Sequence, residues 1–323
     1  MNKNKIKVVI TVDTDSDFYF GNKAGQYNTN DKSIIGWKGL DKGMPVLTDA
    51  IKEISDKHNI NIPISWFVRC DRQIGDKYQN RAYLLEKYND WWQERISLGD
   101  EVQWHAHLYD FKNNSWVQET DKANLYKDLE LSSREFINSG YQYNCLRIGE
   151  SYCSNDVLDI CEDLDIKYGS SSMPGRYRKD AEKTIDWLNT PNKPYSPSIS
   201  DYRIEKERNR NFLEFPLNTV KTKVSYDKDY LPRYVNLAFN KGVLREGLEE
   251  FFRENDTLVS ITHPFEVVKD FFVDSNQKSH PLLSFKRQSV IDNLEDILIL
   301  ARRLNREIEF LKVSDIISTY TNE

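Results

Sequence analysis

The sequence predicts an α/β protein in which parallel strands alternate with helices and close into an irregular β/α barrel of seven or eight strands. Three observations predict it. Short runs of β-forming apolar residues alternate with longer runs whose apolar residues recur at helical spacing. The strand runs are apolar almost throughout, as in strands buried on both faces of a parallel sheet. The β-α units number about eight, and that many units with right-handed crossovers favour a barrel over an open sheet.

In order, residues 6–12 form the first strand and 45–57 a helix with Val46, Leu47, Ala50, Ile51 and Ile54 on one face. Residues 62–68 are a strand, 78–98 a helix, and 101–107 the third strand. Residues 122–138 are helical, 143–148 a strand, 155–164 a helix that Ser154 caps, and 166–171 a strand. Residues 173–210 form an irregular insertion containing Pro174, Pro191, Pro194 and Pro197. It is too long for a plain connector, and Trp187, Tyr195 and Tyr202 make it a lid or a dimer surface. Residues 212–215, 258–262 and 308–311 are the remaining strands, with helices over 243–254 and 288–304.

With 323 residues, no internal repeat and no evident boundary, the reading is a single domain over residues 1–323. The 40 aromatic residues (7 Trp, 18 Tyr, 15 Phe) argue against disorder and suit a sugar-binding cleft as well as a core. The net charge of −6 is spread along the chain without a basic run, which argues against nucleic acid as a partner. The apolar stretch over residues 6–12 ends in Asp13 with no small-residue cleavage site, so it reads as a strand rather than a signal peptide. No apolar run is long enough for a membrane span. A cytoplasmic location is expected. Cys70, Cys145, Cys153 and Cys161 form no CxxC pair and read as reduced thiols rather than metal ligands. Oligomeric state is not readable.

In a β/α barrel, chemistry gathers where strands end. Asp13 and Asp15 end the first strand, His105 and His107 the third, Arg147 the fourth, and His263 the strand over 258–262. Residues two apart on an extended backbone face one side, so Asp13 and Asp15 point two carboxylates into one place. Their mutual repulsion favours a cation between them, or a proton on one. His105 and His107 share that spacing and could reach one ion, and imidazole suits zinc, iron, nickel or copper. His263 precedes Pro264, which turns the chain away and leaves the imidazole at the strand end, where it could protonate a leaving amine. The plainer reading of each is structural: an Asx turn for the aspartates, satisfied or capping imidazoles for the histidines. Asp17 extends a DxDxD pattern, but Phe18 and Ala24 occupy the glycine and glutamate positions of an EF-hand loop. His58 falls at a helix end, where a cation is favoured, and His280 in a polar loop; neither is given a role.

These residues resemble, in order, the motifs of the NodB-like polysaccharide deacetylases (carbohydrate esterase family 4). Thr11–Asp15 (TVDTD) stands where the family has TFDDG. Gly99–His107 (GDEVQWHAH) is similar to its GHEIG-x-H segment, and Leu146–Tyr152 (LRIGESY) to its arginine motif, usually RxP. Ile166–Gly175 (IKYGSSSMPG) is similar to IKYDSS, and Leu258–Pro264 (LVSITHP) to its closing L-x-I-x-H motif. The resemblance implies the NodB-like fold and a metal-dependent hydrolase acting on amide C–N bonds other than peptide bonds. The substrate would be an N-acylated carbohydrate or polysaccharide precursor. The long insertion looks closest to members that act on surface-polysaccharide sugars inside the cell. It implies Asp13 as catalytic base, Arg147 holding that base ionised, and His263 as the acid. Asp15, His105 and His107 would ligate a divalent transition metal such as zinc. The sequence departs from the family at Thr14, where a second aspartate is expected, at Tyr109, where the second metal histidine is expected, and at Gly169, where an aspartate is expected.

Three rival readings stand beside this one. VVITVDTDSD also resembles the first motif of haloacid-dehalogenase-like phosphatases, with Asp13 as nucleophile and Asp15 as acid; that reading leaves the histidines unexplained. A barrel binding a glycan or metabolite without turnover is a second. A hydrolase of a small cyclic amide is a third.

Overall fold

The computed structural model describes residues 5–16, 36–112, 115–179, 184–206, 208–268 and 281–321. Asp17 and His280 lie outside the described residues. Eight parallel strands carry the fold: β1 (Lys5–Asp13), β2 (Ile64–Arg69), β3 (Glu101–Ala106), β4 (Leu146–Ile148), β5 (Tyr168–Gly169), β6 (Leu213–Glu214), β7 (Thr257–Thr262) and β8 (Glu307–Phe310). They match the strand runs of the sequence to within a few residues. The chain divides into two compact units, Met1–Pro63 with Asn218–Leu311, and Ile64–Leu217 with Lys312–Glu323.

In the first unit β1 lies between β7 and β8, parallel to both. Val8, Val9, Ile10 and Val12 are buried, as the unbroken apolar run requires. The register Val12↔Thr262 brings Asp13 and His263 to the same end of the neighbouring strands. The helix Lys38–His58 begins a full two turns before Pro45, so the proline sits inside it rather than at its start. Leu40, Leu47, Ile51 and Ile54 face inward. At Gly43 a side chain would collide with the Pro264 carbonyl, so the glycine lets this helix lie against the turn that follows His263. His58 ends the helix and bonds Glu295 at 2.9 Å through Nε2.

The second unit holds the strand order β6-β5-β4-β3-β2, all parallel. Register pairs Arg69 with His105 and His105 with Arg147, so three polar residues form one row near the strand ends. Arg72–Tyr78 is a short helix that went unread, and the helix expected over 78–98 is two further short ones, Tyr83–Lys87 and Asn89–Ser97. The first is stopped by Gln79 in the left-handed conformation. Ser154 does cap the helix Asn155–Asp163, accepting the Val157 N–H at 3.2 Å. Within 173–210, Tyr177–Lys179 and Thr184–Asp186 form a hairpin. Trp187 and Tyr195 are each 1% exposed, so both are packed inside rather than presented on a surface.

Candidate functional site

In the first unit, Asp13 closes β1, and Thr14, Asp15 and Ser16 follow it; all four are buried. Because β1 ends at Asp13, strict alternation does not govern Asp15. Its Oδ2 lies 3.5 Å from His263 Nε2. On the other side of that ring, Nδ1 is 3.3 Å from Glu266 Oε2. The same Glu266 oxygen accepts the His263 backbone N–H at 2.8 Å and an Asn236 Nδ2–H at 2.8 Å. His263 is therefore flanked by two carboxylates. Burial opposes a charge on the ring, but Glu266 and Asp15 together raise its pKa well above the ordinary value. Glu266 went unread in the sequence, although its place three residues after a strand-ending His-Pro is the spacing of a capping glutamate.

In the second unit, His105 and His107 are 1% and 2% exposed. His105 Nδ1 lies 3.0 Å from the Arg147 carbonyl oxygen. A carbonyl only accepts, so Nδ1 carries the proton and Nε2 presents a lone pair. That Nε2 faces His107 Nε2 at 3.2 Å. Two nitrogens about 2.0–2.1 Å from a tetrahedral ion lie roughly 3.3–3.4 Å apart, so the pair fits a zinc-like ion. Fixing a ligand imidazole through its other nitrogen is how metal sites set tautomer and orientation. Asp71 holds the second histidine: it accepts the His107 backbone N–H at 3.1 Å and is paired with Arg69 Nε at 2.6 Å. Neither Arg69 nor Asp71 had been read as part of the site.

Arg147 is 1% exposed. Its Nε donates to the Ser170 carbonyl at 2.7 Å and Nη2 to Ser170 Oγ at 2.9 Å, while its guanidinium lies 3.7 Å from the Phe67 ring centre. The turn after β4 passes through Glu150 and Ser151, both at positive φ (55° and 53°), a costly conformation for these residues. Trp187 from the insertion donates to the Ser151 carbonyl at 2.8 Å and braces this turn.

Two departures from the family pattern meet a neighbour's answer. Gly149 occupies the proline position of the arginine motif, and any Cβ there would run into the His107 ring. The glycine thus makes the space in which His107 sits, while Tyr109 stays buried with its ring 5.7 Å from that of His107. Gly169 lacks the expected carboxylate, but Glu214 on β6, directly opposite, brings Oε2 to 2.5 Å from where a residue-169 Cβ would be. The four cysteines are free thiols. Burial pushes Cys161 up to about 12 and the other three well above their ordinary value, so none supplies a thiolate at neutral pH.

No family model matches the sequence, and no curated protein matches it. Solved structures do. A candidate polysaccharide deacetylase from Mycobacterium smegmatis matches 99% of this chain and 91% of its own, with a TM-score of 0.53 and 12% identity. A Bacillus anthracis pseudoenzyme of carbohydrate esterase family 4 matches 97% and 66%, at a TM-score of 0.41 and 9% identity. A candidate polysaccharide deacetylase involved in O-antigen biosynthesis in Bordetella bronchiseptica matches 91% and 90%, at 0.39 and 13%. At such identities the likeness is one of fold, and it rests on the first of these. The chain has the irregular, parallel-stranded β/α fold of the NodB-like polysaccharide deacetylases, the group that its motifs resemble.

Proposed function

We propose that this protein is a metal-dependent deacetylase that removes an N-acyl group, such as acetyl, from an amino sugar or polysaccharide precursor. We assign it one catalytic domain over residues 1–323 and a cytoplasmic place of work. The observation that carries the reading is the buried His105–His107 pair, with facing Nε2 atoms and the His105 tautomer set by the Arg147 carbonyl. We assign Asp15 as the third ligand: two imidazoles and one carboxylate suit a divalent transition metal such as zinc. When bound, such an ion acidifies water and polarises an acyl carbonyl.

The chain's own residues then have separate tasks. Asp13, buried at the end of β1, takes the proton of the attacking water. Arg147 favours the ionised form of that base by its positive charge. His263, oriented by Glu266, delivers a proton to the departing amine nitrogen. What favours turnover over binding alone is that the departures at Tyr109 and Gly169 come with an alternative histidine and an alternative carboxylate. Asp13→Asn should lower turnover of an N-acetylated amino sugar by about 100- to 10,000-fold with fold and metal content unchanged. Turnover at the wild-type rate in that variant would refute the assignment.

A further inference from the structure

We infer that Glu214, which takes no part in the proton transfers above, is a positioning residue that holds Arg147 in place through the segment Ser170–Ser172. Its carboxylate is buried at the end of β6, a strand of two residues. One oxygen, Oε1, accepts both the Ser171 and the Ser172 backbone N–H, each at 2.6 Å. The segment so held is the one that Arg147 grips: Nε donates to the Ser170 carbonyl and Nη2 to Ser170 Oγ. Ser171 Oγ in turn accepts the Ile148 N–H at 2.8 Å, closing a loop of hydrogen bonds from Glu214 to Arg147 and its own strand.

The register explains why residue 214 can do this. Glu214 pairs with Gly169, and Gly169 with Leu146, so the three strands are aligned one residue before Arg147. Any side chain at 169 would collide with Glu214 Oε2 and with Phe212, so the glycine leaves the path along which the carboxylate reaches the two amides. Replacing the carboxylate with a methyl group would strand two buried N–H donors, which the surrounding backbone would have to move to satisfy. Arg147 would then lose the fixed placement of its two Ser170 acceptors. Because one oxygen receives both bonds, an amide oxygen at the same reach can hold the segment in its place.

The inference rests on the role assigned to Arg147 above, and its test separates the two. Hydrogen exchange of the Arg147 Nε–H (assigned by its loss in Arg147→Lys) and of the Ser171 and Ser172 amides is followed by nitrogen-15 NMR of the full chain. Glu214→Gln, which keeps the acceptor, should exchange like the wild type. Glu214→Ala, and Glu214→Asp with its shorter reach, should speed exchange at all three sites by roughly tenfold or more. The same two variants should lower kcat roughly tenfold, with KM and metal content unchanged. Wild-type exchange at Arg147 Nε–H in Glu214→Asp overturns the inference even if Glu214→Ala does not fold, and so does a Glu214→Gln variant as fast as Glu214→Ala. A wild type without deacetylase activity would count against the function proposed above and leave the exchange comparison standing.

Discussion

A methyl group added at Gly149 would meet the imidazole of His107, although the two residues belong to different strand ends. This contact carries a prediction. Overpacking of a filled site costs about 1–3 kcal/mol, so Gly149→Ala should displace His107 and weaken zinc binding by roughly tenfold or more, as measured by titration calorimetry. Denaturant melts should also find Gly149→Ala less stable than the wild type, but no less stable than its parent in a His107→Ala background, where the ring it meets is gone; an equal stability loss in both backgrounds would contradict the contact. The two-residue spacing of His105 and His107 was legible in the sequence, because alternation along a strand is a local rule. Gly149 and Glu214 were not. Their significance lies in which side chain comes near from another strand, and one sequence does not encode that distance openly. The departure at Gly169 was visible, but its counterpart 45 positions later (214 minus 169) was not.

Among the elements, β1, β2 and β7 were legible because burial on both faces leaves a nearly unbroken run of β-forming residues. The short antiparallel hairpins, such as Tyr177–Lys179 with Thr184–Asp186, were not, since three- and four-residue strands with exposed positions give no period to read. The helices Val313–Thr321 and Arg72–Tyr78 were missed, and residues 78–98 were misjudged as one helix because their apolar residues keep helical spacing across the break between Tyr83–Lys87 and Asn89–Ser97. Asp71 precedes the helix Arg72–Tyr78. It caps the first short helix by accepting the Ile74 N–H at 3.1 Å, pairs with Arg69, and holds the His107 N–H. Burial opposes its charge, but Arg69 and the Ile74 N–H hold its carboxyl below the usual range. A depressed carboxyl pKa stabilises the fold above the unfolded value and loses that contribution as pH falls through the folded one. Denaturant melts should therefore find Asp71→Asn less stable than the wild type by about 3–5 kcal/mol near neutral pH, because it strands the buried Arg69. The gap should narrow as pH drops below the ordinary carboxylate value of 3.8. A gap that is constant down to strongly acidic pH would contradict the ion-pair account.

For the molecule as a whole, fold and motif order were the most legible features, since five weak motifs fall in chain order on β1, β3, β4, β5 and β7. No described helix is long and apolar enough to cross a membrane. Within the insertion over 173–210, Trp187 and Tyr195 are buried, and Trp187 braces the strained turn beside Arg147. The account as a whole depends on one ion held by Asp15, His105 and His107. The most direct test is the metal content of the purified full-length protein, measured by plasma mass spectrometry beside His105→Ala and His107→Ala. The account predicts a near-stoichiometric transition metal in the wild type, lost in both variants while their folds persist. A metal-free wild type that takes up neither zinc nor cobalt would contradict it.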